Sequence, residues 1–212
     1  LRFDLIIGTA SSGNCKAQFA YSLARLAMYF SRVAVYPEIE EQSVEFLSME
    51  GTGVGENREK IVRKFLSTDA THLLFIDDDM GFNPDVLHTL ASRRQPIVGC
   101  NYRRKVPPAE FLAYRGGEIK TTKESTGIEP VDFLGFGFCL LHRVALEEVQ
   151  EPRFLHYFEG GQYSTEDSAF FKKCPYVPFV DHDASKKVWH VGNLTFNWAD
   201  DYSNLNKIFK EI

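Results

Sequence analysis

The chain has 212 residues, 44% of them hydrophobic and 25% charged, with a net charge of −5. That is ordinary for one α/β domain with a sizeable core, and the negative balance argues against a nucleic-acid partner, which needs a basic face. No apolar run is long enough to span a bilayer and no signal peptide opens the chain, so a cytoplasmic setting is expected. The start at Leu1, without Met, reads as a chain either trimmed or excised from something longer.

Aromatic residues reach 14%, with 18 Phe, which predicts a large core and a pocket lined by rings. Cys15, Cys100, Cys139 and Cys174 lie far apart and form no CxxC pattern. They read as reduced core thiols, and neither a zinc site nor a disulfide framework is supported.

Residues 3–9 (FDLIIGT) predict a first strand, and 8–14 (GTASSGN) a turn of small residues, with Asn14 placed to cap the following helix. Phe19, Leu23, Leu26 and Phe30 recur at helical spacing. The turn lacks both GxGxxG and a Gly-Lys-Ser/Thr ending, so it is no phosphate loop. Backbone, Thr9 or Ser11 contacts to a base or ribose remain open to it, as does the role of a plain connector. Residues 32–36 predict a second strand, and 38–55, acidic and then Gly-rich, a mobile loop. Residues 56–66 (ENREKIVRKFL) predict a helix with Ile61, Phe65 and Leu66 inward. Arg58 falls in its first turn, where the helix dipole disfavours a cation; it is expected either to meet a diphosphate or to point into solvent.

The most informative stretch is 71–105. The run Leu73-Leu74-Phe75-Ile76 reads as a strand buried on both faces, and it ends at Asp77, Asp78 and Asp79. Asn83-Pro84 reads as a helix start, residues 96–100 as another strand, and Arg103-Arg104-Lys105 as a basic cluster. Charge at the carboxyl end of a parallel strand lies where open α/β sheets bind ligands. Alternation puts Asp77 and Asp79 on one side and Asp78 on the other. Two charges 4 Å apart repel by about 1 kcal/mol in water and about 4 near a protein surface, and no basic neighbour in sequence relieves this. A divalent cation of the Mg²⁺ or Mn²⁺ kind is the reading preferred over a solvated acidic loop.

Further on, 111–114 with Gly116-Gly117 predicts a hairpin, and 131–142 (VDFLGFGFCLLH) a long strand. Its Gly135 and Gly137 mark a bulge or the close approach of a ligand. A short helix is expected at 143–149, and an aromatic loop at 151–163. Ser164 with Asp167 approximates a capping box before a helix at 168–174, so Glu166 and Asp167 have a purely structural reading as first-turn acids. Strands are expected at 176–180 and 187–190 and a terminal helix at 204–212. His190 ends the last strand, with a core histidine as its plain alternative.

Taken together, Asn57-Arg58, residues 74–79, Ile97-Val98-Gly99 through Lys105, Gly135-Phe136-Gly137-Phe138, Ser164-Thr165-Glu166-Asp167 and His190-Val191-Gly192 resemble the GT-A glycosyltransferases. The likeness is to small enzymes related to glycosyltransferase family 2 in phages, large DNA viruses and bacteria; for a viral member the setting is the host cytoplasm. The resemblance implies an α/β GT-A fold, a central, mostly parallel mixed sheet flanked by helices. It implies a single domain over 1–212, with a nucleotide-binding half (1–105) and an acceptor-side half (106–212). The implied activity is metal-dependent transfer of a hexose from a nucleotide-diphosphate sugar, expected to be UDP-linked, to a glycan or other hydroxyl acceptor. Thr9, Arg58, Asp77, Asp78, Arg103 and Lys105 are then expected around the nucleotide. Asp79, His190 and Asp77 are expected to hold Mn²⁺ or Mg²⁺. Glu166 and Asp167 match the acceptor-side acidic pair, with Asp167 in the place of the base. The triplet is Asp-Asp-Asp, so which pair acts as DxD rests on strand alternation.

Two other readings stay open. A sugar nucleotidyltransferase has the same fold type, but it usually carries a Gly-rich basic loop, and GTASSGN is followed only by Lys16. A non-catalytic sugar-nucleotide or glycan-binding domain would use the aromatic stretch 154–163 equally well.

Overall fold

The computed structural model describes residues 2–105, 109–192 and 195–196. In chain order the elements are β1 (Arg2–Ala10), α1 (Ala17–Phe30), β2 (Glu41–Met49), α2 (Val54–Leu66), β3 (His72–Ile76), β4 (Met80–Phe82), α3 (Val86–Ser92) and β5 (Ile97–Cys100). They continue with β6 (Ile128–Pro130), β7 (Phe138–His142), α4 (Arg143–Glu147), β8 (Tyr157–Glu159), β9 (Gln162–Ser164) and α5 (Glu166–Lys173). The last are β10 (Phe179–Asp181), α6 (His182–Ser185), β11 (Val188–Val191) and β12 (Thr195–Phe196). The expected helix at 204–212 lies outside the described residues.

A seven-stranded sheet in the order β2-β1-β3-β7-β5-β10-β6 is the frame. The pairs β1–β2, β1–β3 and β5–β10 are parallel; β3–β7, β5–β7 and β6–β10 are antiparallel. Five of the seven strands, β2, β1, β3, β5 and β10, run the same way and β7 and β6 run against them, so the sheet is the mostly parallel mixed one expected, and it draws strands from both halves of the chain. Alternation along the strands sorts the core into two layers. Phe3, Leu5 and Ile7 of β1, with Leu74 and Ile76 of β3, pack under α1 and α3. Ile6, Leu73 and Phe75 face the other way, onto Ile61, Val62 and Phe65 of α2. The rings Phe75, Phe136, Phe154, Phe170 and Phe171 fill that second layer in edge and stacked contacts. Part of the aromatic content therefore builds a floor beneath the site.

Several local expectations are corrected. Residues 32–36 do not form a strand. Their backbone bonds go elsewhere: Arg32 and Val33 N–H donate to Tyr29 O at 3.0 Å, Val35 N–H donates to Gln42 Oε1 at 3.1 Å, and Gln42 Nε2 donates to Val33 O at 3.1 Å. The neighbour of β1 is β2, within the stretch read as a mobile loop. As an edge strand it is only half-buried in alternate positions, so its apolar signal is weak. The long strand at 131–142 is a strand only over β7. Gly135 and Gly137 pass close to the Tyr102 ring: a Cβ on either would lie 2.5 or 2.3 Å from the Tyr102 hydroxyl. The close approach foreseen there is made by the protein itself.

Helix α3 begins at Val86, because Asn83 N–H bonds Lys187 O at 2.9 Å and Asp85 takes the cap position. Lys16, not Asn14, precedes α1, and its N–H bonds the Asp78 carbonyl at 2.9 Å. Cys100 and Cys139 are buried thiols as expected, but Cys15 is exposed.

The cap of α5 is Thr165, whose side chain accepts from Ser168 N–H at 3.4 Å, and Ser164 belongs to β9. Thr165→Ala is expected to cost about 0.5–1 kcal/mol, typical of a lost cap, or about 1–4 °C in melting temperature for a chain this size. Thermal unfolding followed by circular dichroism measures it; an unchanged midpoint shows that the long bond contributes nothing.

Candidate functional site

The strand-end carboxylates do not face one another. Residues 77–79 lie beyond β3 in a turn closed by Met80 N–H on Asp77 O at 3.1 Å, so strand alternation does not govern them. Each takes a different partner. Asp77 accepts from Arg58 at 3.0 Å. Asp78 accepts from the Ser11 hydroxyl at 2.7 Å and from Ser12 N–H at 3.0 Å, which fastens the turn after β1 to the end of β3. Asp79 bonds the Lys105 ammonium and stands 3.2 Å from His190 Nε2. The repulsion computed from adjacency is thereby relieved by partners remote in sequence.

His190 arrives through a second, three-stranded sheet, β12-β11-β4. Antiparallel pairing sets His190 opposite Met80, and Val191 N–H bonds the Asp79 carbonyl at 2.8 Å. His190 Nδ1 is 2.8 Å from Arg103 O. A carbonyl only accepts, so Nδ1 carries a proton. Nε2 then turns its lone pair to an Asp79 oxygen, and two acceptors meet. A second proton on Nε2 or a cation resolves that pair, and an imidazole oriented by a carbonyl is how metal-bound histidines are usually held. Burial acts to raise the Asp79 carboxyl, but His190 and then Lys105 outweigh it and hold it at about 2.

Among the described residues no three His, Cys, Asp or Glu side chains gather closely enough to hold an ion by themselves; Asp77 is turned to Arg58, leaving Asp79 with His190. Hard cations of the Mg²⁺ class use one or two carboxylates and complete their shell with water and substrate phosphates, so this smaller donor set is chemically compatible with one. The remaining expected nucleotide contacts are spread around it. Ala10, Ser11, Ser12, Thr52, Asp77, Asp78, Asp79 and Lys105 line a cavity of about 250 Å³ at the carboxyl ends of β1 and β3. Thr9 lines an adjoining cavity of about 310 Å³, which shares Ser11 and Asp78 and has Phe19, Leu23 and Phe46 in its walls. Arg103 enters by its carbonyl; its guanidinium bonds Ala109 O at 2.8 Å and lies over the Phe111 ring.

Beside this cavity is a buried acidic site. Arg58, only 2% exposed, is bonded to Asp77, to Glu166 Oε1 at 2.8 Å, and to Asp167. Its guanidinium is flanked by the Phe75 and Phe136 rings, 5.9 and 5.6 Å from their centroids. Neither sequence expectation for Arg58, a diphosphate contact or a solvent-exposed cation, matches this placement: it organises carboxylates. Three anions around one cation leave an excess of negative charge. Burial opposes the Arg58 charge, but Asp167, Asp77 and Glu166 together raise its pKa, and it stays protonated. Asp167 also accepts from Phe136 N–H at 3.2 Å. Burial, helped by Glu166 and Asp77 against the pull of Arg58, pushes its carboxyl up to about 7. Gly55 permits the assembly, since a Cβ there would lie 2.4 Å from Phe154 O and 3.1 Å from Glu166 Cβ.

Two contributors escaped the sequence reading. The buried Tyr102 hydroxyl accepts from Gly137 N–H at 2.8 Å, and its ring meets His190 edge-on at 5.5 Å. His156 Nε2 lies 3.4 Å from Glu166 Oε2. No local pattern marks Tyr102; His156 was visible only as one member of an aromatic loop.

No family model and no curated protein matches this chain. Among solved structures, A197 from STIV aligns with a TM-score of 0.59 over 94% of this chain and 95% of that one, at 18% identity. The inositol-1-phosphate CTP transferase from T. maritima aligns at 0.47 over 84% of each chain, with 10% identity. A glycosyltransferase involved in the glycosylation of the major capsid of PBCV-1 aligns at 0.34, with 12% identity, over 68% of this chain and 62% of that one. The last two scores carry no argument. The first bears on fold alone: the chain shares the α/β architecture of A197 from STIV.

Proposed function

We propose that the chain is a glycosyltransferase that moves a hexose from a nucleotide-diphosphate sugar, UDP-linked, to a hydroxyl acceptor with the help of Mn²⁺ or Mg²⁺. The observation that supports this reading best is the meeting of two acidic sites through one residue. Arg58 joins Asp77, at the mouth of the strand-end cavity, to Glu166 and Asp167. Asp79 and His190 would hold the cation, which when bound neutralises the charge that develops on the departing diphosphate. Lys105, beside Asp79, is placed to meet phosphate oxygens. Asp167 takes the proton of the acceptor hydroxyl as that oxygen bonds to the anomeric carbon. The bond from that carbon to the diphosphate breaks, and its electron pair leaves with the diphosphate. A carboxyl that titrates near neutrality suits a general base, and a base on the acceptor side implies inversion at the anomeric carbon. Arg58, itself held by Glu166, holds Asp167 in place.

Nucleotide sugars screened with Mn²⁺, by thermal shift and by release of nucleoside diphosphate, test this. A donor at a hundred times its Kd adds about 2.7 kcal/mol of stability, several degrees at this chain length. Donor binding at full strength in excess EDTA removes the cation from the scheme. Release of pyrophosphate from a nucleoside triphosphate and a sugar phosphate assigns the chain to nucleotidyl transfer instead. His190→Ala is expected to lower Mn²⁺-supported turnover by a larger factor than Mg²⁺-supported turnover, since imidazole suits Mn²⁺ better. Equal losses with both ions, together with a large drop in melting temperature, identify a core histidine.

A further inference from the structure

The β8–β9 hairpin carries two rings that the fold does not use. Phe158 is 61% exposed and Tyr163 86%. They stand opposite one another in the ladder, with centroids 4.8 Å apart and planes tilted by 53°. The hairpin is tightly built: Gly160 and Gly161 both have positive φ, as a two-residue turn requires, and Lys172 of α5 lies 4.4 Å over the Tyr157 ring. At its root a cavity of about 410 Å³ opens between the start of α2 and residues 152–156. Its lining combines apolar Pro152, Phe154 and Leu155 with polar Glu56, Lys60 and His156. This surface runs into the acidic pair: His156 contacts both the cavity and Glu166, and Ser164 and Thr165 alone separate Tyr163 from Glu166.

We propose that the hairpin and the cavity at its root form the acceptor subsite and that the acceptor is a carbohydrate. A C–H face of a pyranose stacks on Phe158 and Tyr163, and its hydroxyl edge meets His156, Lys60 and Glu166. The inference rests on the transferase reading and names its acceptor class. A pyranose has one apolar face and a polar rim, which is the pairing this surface offers. A lipid chain would strip water from Glu56, Lys60 and Glu166 without replacing their hydrogen bonds. Exposed rings beside convergent polar groups mark a ligand surface more than a folding requirement.

The test titrates methyl α- and β-pyranosides of glucose, galactose and mannose into the full chain with UDP and Mn²⁺, read by saturation-transfer NMR. Phe158→Ala and Tyr163→Ala are compared at matched melting temperature, so that misfolding is separated from lost contact. At least one pyranoside is expected to bind the wild type, and each substitution to weaken it fivefold or more. Unchanged affinity in both variants overturns the subsite, as does a wild type that binds a nucleotide sugar but none of the pyranosides. Co-sedimentation with phosphatidylcholine vesicles that depends on the two rings also overturns it, in favour of a lipid surface. Ring-dependent pyranoside binding in a protein that binds no nucleotide sugar sinks the transferase reading and leaves the sugar subsite standing.

Discussion

Replacing Arg58 by glutamine is expected to destabilise the fold by about 3–5 kcal/mol at pH 8, the usual loss when one partner of a buried ion cluster is removed. At this chain length that corresponds to a fall of roughly 10 °C in melting temperature. Asp77, Glu166 and Asp167 would be left around a neutral amide, two of them in a largely buried setting. The sign of the pH dependence separates charge from packing. Without the guanidinium the Asp167 carboxyl, raised by burial, holds in the folded chain a proton that the unfolded chain has already released. Folding then takes up protons, and stability rises as pH falls. The deficit against wild type should therefore shrink between pH 8 and pH 5. Denaturant unfolding at the two values measures it; a deficit that stays constant shows that Arg58 acts by filling space between Phe75 and Phe136.

Asp167→Asn is expected to lower transfer to the acceptor by about 10²-fold or more, the scale of a lost general base, with donor binding intact. Two donors, Arg58 and Phe136 N–H, converge on its carboxylate. An amide satisfies only one, so a stability loss of about 1 kcal/mol accompanies the change. A residue serving only the helix dipole would show the stability effect with transfer nearly unimpaired.

The wild-type rate should rise with pH and level off above about 7, where burial, Glu166 and Asp77 place the Asp167 carboxyl. Stability moves the other way. The folded carboxyl has a pKa above its unfolded value of 3.8. Its contribution is therefore fully present below the unfolded value and is lost as pH rises through about 7. Rates between pH 5 and 9, with product anomers read by NMR, decide the assignment: a retained anomer, or a variant with the wild-type acid limb, removes Asp167 from the role of base.

Local pattern made much of the frame legible. The continuous apolar runs of β1 and β3, buried on both faces, and the 3.6-residue spacing of Phe19, Leu26 and Phe30 are properties of single elements, and those elements formed where expected. The Gly160-Gly161 hairpin was also encoded locally, by a two-residue Gly-Gly loop between strand-like triplets, though it read as part of a loop. Segment 32–36 looked like a strand because apolar content carries no information about partners; Tyr29 O and the Gln42 side chain took its backbone bonds, and β2 took the place beside β1.

The acidic residues themselves were visible as chemistry, but not their pairing. Asp77 meets Arg58 across 19 positions, Asp78 meets Ser11 across 67, and Arg58 meets Asp167 across 109. Sequence alone determined that Asp77, Asp78 and Asp79 follow a buried strand and that Glu166 and Asp167 stand in the first turn of a helix, because those positions follow from local periodicity, even where the capping residue did not. Tertiary structure decided which charge faces which, because Coulomb attraction and hydrogen bonding act through space, over distances that only the packed sheet sets.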